Sequence, residues 1–185
     1  MKLVKCNMFD EGKLMMIREM KLEDVKKILE IYNDAILHTT AIYKYQPETL
    51  EEKQQWFKNK HENGEPLFVY EEDGEVVGYA TYGQFKPYPA YQYAVEHSVY
   101  IHNNHHRKGI GSKLMKFLIE EAKQREVKTM IACIDAENKG SIIIHEKLGF
   151  TYRGTLKNTG YKFGRWLDLV FYQLDFKGPT NPMEK

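Results

Sequence analysis

The amino-acid sequence predicts a single α/β domain, a central mixed β-sheet with helices on both faces. Three observations carry that expectation. Segments with helical and strand-like periodicity alternate along the chain, the pattern of helices packed on a sheet. Asp73-Gly74 separates two apolar runs, which places an antiparallel hairpin in the sheet and makes it mixed rather than purely parallel. A chain of 185 residues without repeat, linker or low-complexity segment is long enough for one substantial core.

Each element follows from a local pattern. Residues 16–37, MIREMKLEDVKKILEIYNDAIL, read as a short strand and then a helix, because Val25, Ile28, Leu29, Tyr32 and Ile36 recur at helical spacing. A second helix is expected across PETLEEKQQWFKNKHENG, residues 47–64, opened by Pro47 and acidic residues and closed by Gly64. Residues 67–85 form the hairpin around Asp73-Gly74. In YQYAVEHSVYI, residues 91–101, Tyr93, Val95, His97, Val99 and Ile101 alternate with Ala94, Glu96, Ser98 and Tyr100, which gives a strand two different faces. Ile110, Leu114, Phe117, Leu118 and Ala122 make one face of a third helix. VKTMIACI, residues 127–134, reads as a buried strand. NKGSIIIHEKLGF, residues 138–150, reads as a short helix ended by Gly149, and LDLVFYQLDF, residues 167–176, as a last strand. The domain is placed at residues 17–175, with a short leader at 1–16 and a frayed tail at 176–185.

Composition excludes several function classes. Lys and Arg number 27 against 26 Asp and Glu, which argues against a nucleic-acid-binding surface. No apolar run approaches a membrane span, and the first 16 residues lack the apolar core of a signal peptide. Cys6 and Cys133 show neither disulfide nor zinc spacing, so a reducing, cytoplasmic location is expected. HNNHH, residues 102–106, invites a metal reading. It is a polar loop beside a glycine turn, without the supporting ligands that metal-binding histidines need, and no metal is expected.

HHRKGIGSKLM, residues 105–115, joins a strand to a helix, so backbone N–H groups gather at a helix N-terminus, where they and the helix dipole attract phosphate. Gly109 and Gly111 permit close approach, and Arg107 and Lys108 add positive charge. There is no third glycine for G-x-G-x-x-G, and Lys113 is not placed as in a P-loop. Taken alone, the loop reads first as a flexible turn before an ordinary core helix.

Several motifs in register go further. VEHSVYI, HRKGIGSKLM, NKGSIIIHEKLGF, GTLKNTGYKFGRWLDLVFYQ and the early IYNDAI resemble, in order, the phosphinothricin and methionine sulfoximine N-acetyltransferases of the GNAT superfamily, from Ile17 to about Leu174. The resemblance implies a GNAT-type sheet in which two strands splay apart, acetyl-CoA as cosubstrate, a small-molecule amine as acceptor and a homodimer. It implies that backbone groups of Val99, Tyr100 and Ile101 pair with the pantetheine arm, as a peptide adds to a sheet edge. It further implies that Arg107, Lys108, Gly109, Ile110, Gly111 and Ser112 hold the pyrophosphate and that Asn138 meets the cofactor near its thiol. By its own sequence position Asn138 reads first as a turn or helix-start residue.

Glu96 is a charge in an apolar strand: either a solvent-facing residue of the alternation or a general base, and the resemblance favours the base. A protonated amine has no lone pair with which to attack a thioester, so its proton must be removed. His145 follows Ser141 by one helical turn and matches the histidine of the family's site. Protonation of the departing thiolate and orientation of Glu96 or water are both open roles for it. Tyr88, Tyr91 and Trp166, from FKPYPAYQY and FGRWLD, are candidate walls of the acceptor pocket, or ordinary packing. The family commonly has arginine where Tyr88 stands, which weakens the expectation of carboxylate recognition unless Lys86 or Arg165 supplies the charge. The expected reaction is direct attack of the amine on acetyl-CoA. The alternatives are acetylation of a protein or peptide amine, and a non-catalytic coenzyme A-binding module.

Overall fold

A computed structural model describes residues 6–10 and 13–184, with side chains from Met16 onward. Eight strands form one sheet in the order β1-β2-β3-β4-β5-β6-β8-β7. They are β1 (Cys6–Asp10), β2 (Lys13–Glu19), β3 (Leu67–Glu72), β4 (Glu75–Gln84), β5 (Ala94–Ile101), β6 (Thr129–Asp135), β7 (Thr151–Lys162) and β8 (Arg165–Asp175). Among the described residues, only β5 and β6 pair in parallel. The helix α3 (Ile110–Gln124) makes the crossover between them that a parallel pair requires.

The hairpin turn is where the sequence puts it: Asp73 and Gly74 both have positive φ, 50° and 84°, as a two-residue turn with matching twist demands. The helix α1 (Val25–His38) buries Val25, Ile28, Ile31 and Ile36. The helix α2 (Leu50–Glu62) starts three residues after Pro47, because Thr49 caps it: Thr49 Oγ1 accepts from Glu52 N, and the Glu52 carboxylate accepts from Thr49 N. Val25, Ile28 and Ile31 pack with Val69 and Tyr79 on one face of the sheet. On the other, α3 buries Ile110, Leu114 and Leu118 against Phe68, Ala80 and Met130. The short helix α4 (Lys139–Lys147) lies beside β6.

Three stretches differ from the sequence reading. The sheet begins before Ile17: β1 and residues 13–16 of the expected leader form a hairpin that pairs on with β3. The stretch ahead of β8, to which the sequence reading assigns no element, is the long strand β7. The C-terminal stretch folds back, with Met183 O accepting from Gln92 Nε2 at 2.7 Å and Met183 N donating to Tyr93 Oη at 3.1 Å.

The sheet is broken at one place. The β5–β6 ladder has three rungs, Ala94↔Thr129, Val95↔Met130 and Glu96↔Ile131. Beyond them β5 continues against β4 alone and β6 against β8 alone. The two strands diverge into a split whose vertex is Glu96.

Candidate functional site

Glu96 is half-buried and shares its sheet face with Ile131, its register partner, and with Cys133 two residues further on. The Cys133 thiol lies close enough to the Glu96 carboxylate to feel its charge. Burial first, and then the nearby Glu96 carboxylate, push the Cys133 pKa up to about 12, so the sulfur stays a protonated thiol and not a nucleophile. Past the vertex, Val99, Tyr100 and Ile101 pair with β4 on one side and have no strand on the other. The Ile101 carbonyl accepts from His106 Nε2 at 2.9 Å.

At the far end of that edge is the glycine loop. Arg107 and Gly109 have φ of 64° and 74°, and Gly109 stands at the N-cap of α3. No side chain caps the helix, no acidic residue stands in its first turn, and its first bond runs from Lys113 N to Gly109 O at 3.1 Å. The N–H groups of Ile110, Gly111 and Ser112 therefore lack helical partners at the positive end of the dipole. A Cβ on Gly111 would meet no atom within 4 Å, so open space lies beside these donors. Arg107 and Lys108 are exposed there, with Lys108 Nζ 3.8 Å from Glu72. These residues fit a pyrophosphate. The neighbouring histidines have other work: His105 Nδ1 lies 2.9 Å from Glu72, and His102 Nδ1 accepts from Asn104 N.

On the opposite face from Glu96, His145 of α4 is buried. Its Nδ1 lies 2.7 Å from the Ser141 carbonyl, and its Nε2 lies 3.0 Å from His97 Nε2. The structure thus brings His145 to His97 and not to Glu96. Asn138 is exposed and caps α4 through Oδ1, 3.1 Å from Ser141 N, the helix-start role its position allows.

An open cleft of about 390 Å³ lies between the loop after α1 and the end of β6, lined by Thr39, Ala41, Asp135, Asn138, Phe163 and Arg165. Arg165 reaches Glu137 at 3.0 Å and buried Asp135 at 3.5 Å. A groove of about 370 Å³ runs over Phe85, Ile131, Leu156 and Phe171. Tyr88, Tyr91 and Trp166 are exposed and line neither. Tyr91 stands edge-on to Phe85, and Trp166 edge-on to Tyr161.

The sequence reading names Cys133 only for its lack of disulfide or zinc spacing and leaves Asp135 aside, although Ile131, Cys133 and Asp135 alternate onto one face of β6. It offers Glu96 or water as what His145 orients, and it does not reach His97, 48 positions away.

Comparison with known proteins meets this geometry. A family model described as an acetyltransferase (GNAT) domain matches residues 17–171. The L-methionine sulfoximine/L-methionine sulfone acetyltransferase of Pseudomonas aeruginosa is 42% identical over 86% of this chain and 93% of its own. The phosphinothricin N-acetyltransferase of Streptomyces viridochromogenes is 35% identical over 90% of each chain. The structure of a putative acetyltransferase from Salmonella typhimurium with its cofactor acetyl-CoA has a TM-score of 0.88 at 41% identity, covering 91% of this chain and 98% of that one. The family model covers most of the chain and the relatives match it over nearly its whole length, and the chain belongs to the GNAT acetyltransferase family.

Proposed function

We propose that this protein transfers the acetyl group of acetyl-CoA to the primary amine of a small amino-acid analogue of the methionine sulfoximine, methionine sulfone or phosphinothricin type. The observation that carries the reading is the split: an unpaired strand edge runs from a carboxylate at its vertex to an uncapped helix N-terminus. Bound acetyl-CoA supplies the activated acetyl thioester. Residues 107–112 hold its pyrophosphate through backbone N–H groups and the charges of Arg107 and Lys108. Backbone groups of Val99, Tyr100 and Ile101 hold the extended arm, with the Ile101 carbonyl shared with His106. Asn138, beside the 390 Å³ cleft, stands near the reacting end.

Glu96 removes the proton from the acceptor ammonium, directly or through one water, and leaves the amine a lone pair for attack. Cys133, a neutral thiol on the same sheet face, lies beside that carboxylate without competing as a nucleophile. The cleft takes the rest of the acceptor, where Arg165 offers the cation that Tyr88 lacks. Tyr91 and Trp166, which line neither cleft, would reach the acceptor only by turning from Phe85 and Tyr161.

The protein acts as a homodimer in the cytoplasm. Ile131, Leu169 and Phe171 are half-buried, and Tyr152, Leu156 and Trp166 of the β7–β8 hairpin are exposed, which leaves apolar surface for a second copy. No described helix is long and apolar enough to cross a membrane, and Cys133 is a free thiol. The test is a screen of purified protein with acetyl-CoA against a panel of amines, reading free thiol and product mass. Acetylation of methionine sulfoximine, its sulfone or phosphinothricin is expected. Thiol release that no member of the panel accelerates refutes the reading.

A further inference from the structure

The partners of His145 and His97 fix where each hydrogen sits. His145 Nδ1 lies 2.7 Å from the Ser141 carbonyl oxygen; a carbonyl only accepts, so this nitrogen carries a hydrogen. Burial lowers the His145 pKa, and burial followed by the neighbouring His145 takes His97 down to about 3, so both rings are neutral at physiological pH. A neutral imidazole has one N–H. His145 Nε2 is therefore an acceptor, and the 3.0 Å contact is a bond that His97 Nε2 donates. The rings lie within 17° of parallel, with centroids 5.0 Å apart. His97 Nδ1 is left as a buried lone pair without a partner among the described residues. Ser141 and the edge-on ring of Phe150 adjoin the pair, Tyr82 of β4 is the register partner of His97, and no carboxylate or cation bonds to either histidine among the described residues.

Position gives this pair its use. His97 is the first residue of β5 beyond the last rung shared with β6, and α4 is the helix that comes after β6. The bond crosses between two arms of the sheet that share no backbone ladder past Glu96. Glu96 is the residue before His97, and its side chain projects to the other face.

We propose that His97 is a positioning residue of the transfer site: its Nε2–H locks His145 in the Nδ1–H tautomer and ties α4 to the strand that carries Glu96. Both hydrogens of the pair are committed, one to Ser141 and one to His145. His145 is then a fixed brace and not a proton donor to the departing group. The catalytic consequence rests on the acyl-transfer reading, whereas the tautomer does not, so the two arms of the test fail separately.

Histidine-selective ¹⁵N NMR on the full chain reads the tautomers. The expected result is Nδ1–H for His145, Nε2–H for His97, and no titration of either ring across about pH 5.5 to 8. The reverse tautomers, or a ring that titrates in that range, overturn the lock. In the kinetic arm, His97→Leu removes the donor and His97→Gln keeps an N–H at similar reach. His97→Leu is expected to lower kcat about tenfold with KM for acetyl-CoA within about twofold, and His97→Gln to restore most of the loss. Unchanged kcat in His97→Leu, or equal loss in both variants, overturns the positioning role. A parent protein that acetylates no amine sinks the acyl-transfer reading instead, and the NMR arm alone then decides the lock.

Discussion

Lys162→Met keeps the length of a buried side chain and deletes its ammonium. Lys162 is 4% exposed, and its Nζ donates to the carbonyls of Ile36 at 2.6 Å, Thr39 at 2.8 Å and Ile42 at 2.7 Å, which uses all three hydrogens. Ile36 O belongs to the last turn of α1, whose carbonyls have no donor within the helix, and the cation sits at the negative end of the dipole. Substitution strands the carbonyls of two buried residues, Ile36 and Ile42, at about 1–3 kcal/mol each. Thr39 is only half-buried, so its carbonyl can turn to water. Relief from dehydrating the ammonium offsets part of the loss, which leaves a net destabilisation of about 3 kcal/mol. For a domain of this size each kcal/mol moves Tm by roughly 2–4 °C, so a fall of about 6–12 °C is expected by circular dichroism. Thr39 and Ala41 line the acceptor cleft, so KM for the amine should rise while KM for acetyl-CoA holds. A Tm within about 2 °C of the parent refutes the reasoning.

Three further outcomes are expected. Gly111→Trp meets open space and should fold, yet its ring covers the N–H groups of α3; calorimetry should show acetyl-CoA binding weakened about tenfold or more, and an unchanged Kd in a folded protein sinks the loop assignment. Glu96→Gln should lower turnover by about 10²–10⁴, less at high pH where free amine is abundant, and a pH–rate profile that overlays the parent's removes Glu96 as the base. Burial raises the Asp24 carboxyl, but bonds from Arg18 at 2.7 and 2.9 Å and from Lys21 N at 2.7 Å outweigh it and hold its pKa below the ordinary 3.8. A depressed carboxylate contributes stability that is fully present above the unfolded pKa and lost as pH falls through the folded one. Urea unfolding should therefore show the deficit of Asp24→Asn shrinking below about pH 4, and a deficit that stays constant into acid refutes this account.

Legibility along the chain tracks how local each signal is. The Asp73-Gly74 turn and the buried stripe of α3 depend on residues a few positions apart, and the sequence alone is enough to place them. The glycine loop is legible for the same reason, since donors at a helix start need only the loop and the helix. The strand β7 leaves no such trace. Most of its side chains are exposed, and its register shifts between Tyr152 and Gly154 and again between Leu156 and Gly160, so no period-two pattern survives.

The site divides the same way. One α/β domain, a two-faced β5 carrying Glu96, a phosphate-fitting loop and, through motifs in register, the family are all readable from the order of residues. Where β5 and β6 part is not, because their last rung joins residues 35 positions apart, Glu96 and Ile131. Folding in three dimensions also set Cys133 against Glu96, turned His145 away to His97, and brought Lys162 to Ile36 across 126 positions. Each of these contacts depends on how the sheet's strands are ordered and diverge, a property of many distant pairings at once that no window of the sequence contains.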